Sequence, residues 1–93
     1  MHARAVRFTG VEPERIAELV ARIEESGPPP GVEASAFKLL FDGDQGTAIF
    51  LAFFDSEQKM RDANAIFEQM DPGETPGTRA SVDLCEVSIE RDA

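Results

Sequence analysis

Thr47-Ala48-Ile49-Phe50-Leu51-Ala52-Phe53-Phe54 is followed at once by Asp55-Ser56-Glu57. The first stretch is rich in residues that suit a pleated strand, and the second carries the short polar and acidic side chains that start a helix. Side chains alternate along a strand, which sets Ile49, Leu51 and Phe53 against Ala48, Phe50, Ala52 and Phe54. Both faces are therefore apolar and both need cover. Leaving Ile49, Leu51 and Phe53 in water forfeits about 5–9 kcal/mol, at about 1.5–3 kcal/mol per large side chain. That is comparable with the about 5–15 kcal/mol of stability of a whole domain. The chain's own helices can cover one face. A second copy is the economical cover for the other, which predicts a homodimer through sheet-to-sheet packing.

Upstream, Ala34–Phe41 alternates as a strand with Phe37, Leu39 and Phe41 on one face and Lys38 on the other. Asp42-Gly43-Asp44-Gln45-Gly46 joins it to residues 47–54 as a hairpin turn. Downstream, Asp55 or Ser56 caps a helix whose inward face is Met60, Ala63, Phe67 and Met70. Asp71-Pro72-Gly73-Glu74-Thr75-Pro76-Gly77 breaks that helix, and Arg79–Ile89 reads as a final strand carrying Val82, Leu84 and Val87.

At the other end, Ala3–Phe8 reads as a strand and Pro13 opens a helix, where its missing N–H costs nothing. Ile16, Leu19, Val20 and Ile23 fall at i, i+3, i+4, i+7 and form one narrow apolar stripe. Glu18 is spaced to pair with Arg22, and Gly27 with Pro28-Pro29-Pro30 ends the helix. The order β-α-β-β-α-β with right-handed crossovers gives an α+β, ferredoxin-like fold: a four-stranded antiparallel sheet with both helices on one face. The first and third strands are central in it, so the most apolar segment takes the most buried place.

The 93 residues form one domain over 1–93, with 42% hydrophobic and 29% charged residues, so the chain is globular. No apolar run reaches the roughly 18–20 residues that span a bilayer. Met1 to Arg7 lacks the apolar core of a signal peptide, and the single Cys85 fits a reducing compartment. The expected location is the cytoplasm. The net charge of −9, from 9 Lys+Arg against 18 Asp+Glu, makes this an acidic chain without a basic stripe. Nucleic acid and anionic membranes are therefore not expected partners.

The run from Gly31 through Phe37-Lys38-Leu39-Leu40-Phe41-Asp42-Gly43-Asp44-Gln45-Gly46 to Ala48–Glu57 resembles the dimeric α+β barrel superfamily. Ala3-Arg4-Ala5-Val6 and Ser81–Val87 fit the same pattern. Within the superfamily the chain is most similar to small bacterial proteins related to the antibiotic biosynthesis monooxygenases. The resemblance implies two face-packed sheets and, in each subunit, a ligand cleft between sheet and helices. It also implies activities such as cofactor-free oxygenation of aromatic polyketides or haem degradation. Relatives with such activities commonly use a Trp with Asn and His. This chain has no Trp and no Tyr, and its single Asn and His are Asn64 and His2.

The candidate catalytic residues are accordingly few. Asn64 flanks the second helix's apolar face and reaches either a cleft or solvent, and His2 sits beside the N-terminus. Arg7 and Arg79 are charges embedded in strand pattern. Each either pairs with Asp83 or Glu86 or orients an anionic or phenolate substrate. No cofactor and no metal site is expected: the turn at Asp42–Gly46 lacks the spacing of a calcium loop, and His2 and Cys85 each stand alone. Cys85 alternates in a half-buried strand as a packing residue, and the phenylalanines serve the core or line an apolar cleft. Two functions follow. One is a cofactor-independent monooxygenase-like enzyme acting on a small aromatic. The other is a non-catalytic dimeric module that binds a small hydrophobic or aromatic ligand in the same cleft.

Overall fold

The computed structural model describes residues 1–70 and 75–92. Its elements are β1 (His2–Thr9), α1 (Pro13–Ser26), β2 (Ala36–Asp42), β3 (Thr47–Phe54), α2 (Glu57–Glu68) and β4 (Thr78–Glu86). They build one antiparallel sheet in the order β2-β3-β1-β4. This is the ferredoxin-like α+β arrangement, with β1 and β3 central as the hydrophobic pattern requires. The predicted loop at 71–77 lies partly outside the described residues. No helix among the described residues is long and apolar enough to cross a membrane.

Register fixes what each face carries. Ala52 stands between Arg4 and Phe37, Phe50 between Val6 and Leu39, and Ala48 between Phe8 and Phe41. These residues face the helices. On the other side, Leu51 stands between Ala5 and Lys38, Ile49 between Arg7 and Leu40, and Phe53 between Ala3 and Ala36. Among the described residues no helix covers that open side. Its central side chains are nonetheless half-buried by their neighbours in the sheet, and the Lys38 ammonium lies 5.9 Å from the Phe53 ring centroid. The area left for a partner to cover is thus smaller than a fully exposed strand face would offer.

The core lies under α2, where Met60 and Ala63 pack with Ala52, Phe54 and Val32, all buried. Ser56 rather than Asp55 caps this helix, accepting a hydrogen bond from the Lys59 N–H at 3.2 Å. A second cluster of Val6, Phe8, Val11 and Ala48 lies near the start of α1, with Ile16 packed on it. The hairpin turn is held by Asp42, whose Oδ1 accepts from the N–H groups of Asp44 and Gln45. Gly46 takes φ 66° there, and its carbonyl accepts from the Val11 N–H at 2.9 Å.

Two strand boundaries differ from expectation by more than one residue. β4 stops at Glu86 rather than Ile89, because its partner β1 begins at His2 and only Met1 remains to accept the Val87 N–H. Ile89 is 79% exposed as a result. β2 starts at Ala36 rather than Ala34: the Ser35 N–H still bonds to the Phe53 carbonyl, but the strand pairing begins one residue later.

Candidate functional site

Both helices carry an apolar stripe, but only α2 presses it onto the sheet. None of α1's residues is buried, and Val20 is 38% exposed. The helix is held at its start, through Ile16, and ends at Gly27, whose N–H bonds to the Ile23 carbonyl and whose φ of 68° suits only glycine readily. Farther along, Leu19 and Ile23 face a cleft instead of side chains of the sheet. The cleft holds about 740 Å³, within the range of about 300–1,000 Å³ usual for small-molecule sites. Val6, Phe8, Phe37 and Phe50 of the sheet line it, together with Pro28-Pro29-Pro30 after α1 and with Phe67, Met70 and Pro76.

The polar end of the cleft is built on Arg4. Arg4 shares the helix-facing parity of Val6 and Phe8, is 4% exposed, and is the sole buried charged side chain among the described residues. Its Nε donates to Asn64 Oδ1 at 2.9 Å, and its guanidinium carbon stands 4.6 Å from the Phe67 ring centroid. An Nη lies 3.5 Å from Glu68 Oε1. Arg79 grips the same carboxylate through both oxygens, Nη1 to Oε1 at 2.6 Å and Nη2 to Oε2 at 3.1 Å. Such a two-pronged pair is the strong form of the interaction.

These distances set the protonation states. Burial pulls the Arg4 guanidinium below its ordinary value and Glu68 opposes the shift; a guanidinium starts so high that it stays charged. The hydrogen bond from Arg79, then the nearby charges of Arg79 and Arg4, hold the Glu68 carboxyl below the usual carboxylate range against its partial desolvation. Glu68 in turn raises Arg79. The cluster is two cations around one carboxylate that has no tendency to take up a proton near neutral pH.

Arg79 reaches this cluster because the strand is irregular. β4 pairs Val82 with Val6 and Ser81 with Arg7, then skips Ala80 so that Arg79 stands opposite Phe8. Strict alternation would send Arg79 to the open face with Ser81 and Asp83. The extra residue re-aims it to the helix side, the usual consequence of a β-bulge. Gly77 permits the approach of this strand end to β1, since a Cβ there would run into the Thr9 carbonyl oxygen.

Of the residues singled out by sequence, Asn64 and Arg79 come together around Arg4 and Glu68, whereas His2 and Arg7 do not join them. His2 is half-buried at the start of β1, opposite Phe54 and Glu86, away from the residues that line the cleft. Arg7 is exposed on the open face. The partner of Arg79 is Glu68 rather than Asp83 or Glu86, and among the described residues Arg7 makes no ion pair. Glu18 pairs with Arg15 at 3.3 Å instead of with Arg22, which leaves Arg22 on the cleft wall. Cys85 is exposed on the open face, opposite Ala3, rather than half-buried. Of the phenylalanines, Phe54 is fully buried core and Phe8, Phe37, Phe50 and Phe67 line the cleft.

Sequence reasoning missed Arg4 and Glu68. The signal for Arg4 is its parity: it occupies the same strand face as Val6 and Phe8, where a charge demands partners. Glu68 lies one residue beyond Phe67 and four beyond Asn64, a spacing that puts Asn64 and Glu68 on one side of α2. Among the described residues no group of three or more His, Cys, Asp or Glu side chains is placed to hold a metal ion. No known family model matches the chain, and no curated protein matches its sequence.

Proposed function

We propose that the chain is a homodimeric α+β barrel protein that binds a small hydrophobic or aromatic molecule in the cleft under α1 without transforming it. The observation that carries this reading is the cleft itself: about 740 Å³ with a mostly apolar lining and one polar end. Its polar groups suit recognition better than proton transfer. Asn64 is committed to Arg4, and Glu68 is held ionised between two arginines, so neither is poised as a general base. The finer kinship to antibiotic biosynthesis monooxygenase-related proteins belongs to the same reading. It carries the alternative, cofactor-independent oxygenation of an electron-rich aromatic, for which a dry apolar cleft would supply positioning and desolvation.

Calorimetric titration with a panel of hydroquinones and with haem, alongside oxygen uptake, separates the two. Saturable binding with no oxygen consumption above the protein-free rate supports the binding module. Turnover replaces it with the enzyme, and absence of any binding removes both.

The open sheet face supports the dimer. Register lays Asp83, Ala5, Leu51 and Lys38 in one row across the four strands, an acid at one edge and a base at the other. A two-fold axis parallel to the strands would set Lys38 of each copy over the partner's Asp83, with Ile49, Leu51 and Phe53 between; an axis across them would stack like on like. Light scattering should give twice the chain mass of 10.2 kDa. Leu51→Asp should give a folded monomer, Asp83→Lys a weaker dimer, and Lys38→Asp added to Asp83→Lys a restored one. A native chain that is monomeric at micromolar concentration overturns this assembly.

A further inference from the structure

Three of the chain's 9 Lys+Arg residues, Arg4, Arg22 and Arg79, line this cleft, against a single described carboxylate, Glu68. In a protein of net charge −9, that concentration of cations is the reverse of the overall balance. Arg4 is moreover a costly residue to place there: a buried guanidinium must recover its lost hydration from specific partners. Its Nε is satisfied by Asn64 and one Nη leans on Glu68 at 3.5 Å, longer than a good charge-assisted bond. No buried polar side-chain atom among the described residues lacks a partner. The remaining Nη of Arg4, for which no hydrogen bond is found, is therefore not sealed from solvent, and Arg4 lines the cleft.

From this arrangement we infer that the cleft selects an apolar ligand bearing a carboxylate, whose head group meets Arg4 and Arg79 in place of Glu68 while its apolar body lies on Phe37, Phe50 and Phe67. Glu68 is the resident counter-ion of the two arginines. Its bidentate grip on Arg79 has the geometry that a ligand carboxylate would take over. Glu68 stands on the last turn of α2 and its side chain is 40% exposed, so it can swing to water when displaced. Asn64 and the Phe67 ring keep the Arg4 guanidinium in one plane whether or not Glu68 is present. A neutral ligand of the same shape would leave Glu68 in place and gain nothing from the two arginines.

This inference rests on the ligand-binding reading of the cleft, and a matched pair of probes distinguishes their failures. 2-Naphthoate and 2-naphthamide share shape and apolar area and differ in charge. Isothermal titration of the full chain should show the carboxylate bound at least about tenfold tighter, equivalent to about 1.4 kcal/mol. Glu68→Gln removes the competing charge and should tighten naphthoate several-fold, so that the preference for carboxylate over amide widens. Arg4→Gln should abolish the preference; should that variant fail to fold, Glu68→Gln, which alters an exposed residue, still decides the matter. Equal affinity for both probes overturns the carboxylate selection and leaves the apolar cleft standing. Unchanged or weaker naphthoate binding by Glu68→Gln overturns the displacement of Glu68. Binding of neither probe removes the cleft reading and this inference with it.

Discussion

α2 and α1 lie on the same side of one sheet, each with an apolar stripe, yet one is core and the other is wall. α2 buries Met60 and Ala63 to 2% and 0% exposure, whereas α1 buries nothing. The difference is in what the sheet offers beneath them. Under α2, Ala63 shares a buried cluster with Ala52, both small, so the helix settles onto the strands. Under α1 the sheet presents Val6, Phe8 and Phe50, whose bulk supports the helix at Ile16 and leaves a gap beyond it. A stripe tells which way a helix faces. The residues opposite decide how near it comes, and here that distance creates the site.

Paired truncations test this most severely. Met60→Ala should cost about 2–5 kcal/mol, since it empties a fully packed position. Ile23→Ala should cost less than about 1 kcal/mol because Ile23 is half-exposed to the cleft. It should instead weaken ligand binding by removing part of the wall. Urea denaturation at neutral pH measures both, and equal costs would mean that α1 is as much part of the core as α2.

The fold was legible in the sequence because its signals are local and redundant. The two-faced apolar run at 47–54, Pro13 and Gly27 at the ends of α1, and the capping Ser56 each have one good structural reading. The site was less so. Asn64 and Arg79 stood out as polar residues within apolar pattern, but what joins them is Arg4, 60 positions from Asn64. The skipped Ala80 that turns Arg79 toward the helices leaves no mark in a hydrophobic pattern. Nor does spacing reveal that Glu18 prefers Arg15, which leaves Arg22 on the cleft wall. Periodicity reports faces, whereas a site depends on distances between faces.

The helix starts sharpen the comparison at a smaller scale. Ser56 accepts an N–H that would otherwise be unpaired, while Glu12, at the same position of α1, makes no side-chain cap. Ser56→Ala should lower global stability by about 1 kcal/mol. Glu12→Ser supplies α1 with a cap, yet should move global stability by no more than about 0.5 kcal/mol, since a helix so lightly docked gains order locally. A gain equal to the Ser56→Ala loss would show that both helices unfold with the sheet as one unit.

A similarly small effect lies at the far end of α2, where Glu68 faces Arg4 from β1 and Arg79 from β4. Its carboxyl is held below its ordinary value chiefly by the hydrogen bond from Arg79, so the folded chain binds fewer protons there than the unfolded one. The stability from this group is therefore fully present above the unfolded value of about 4.3 and is lost as pH falls through the lower folded value. Both arginines stay charged throughout, so acid removes only the counter-ion and leaves Arg4 buried beside a neutral acid. Because the Glu68 side chain is 40% exposed, water and salt screen the pair, and the contribution should be no more than about 1 kcal/mol. Glu68→Gln should consequently be less stable than the native chain at pH 7, and the deficit should close as pH falls through the lowered folded value of Glu68, with the other carboxylates cancelling in the difference. A deficit that persists into acid would mean that Glu68 supports the end of α2 by packing rather than by charge, and the polar end of the cleft would then owe its order to Asn64 and Phe67.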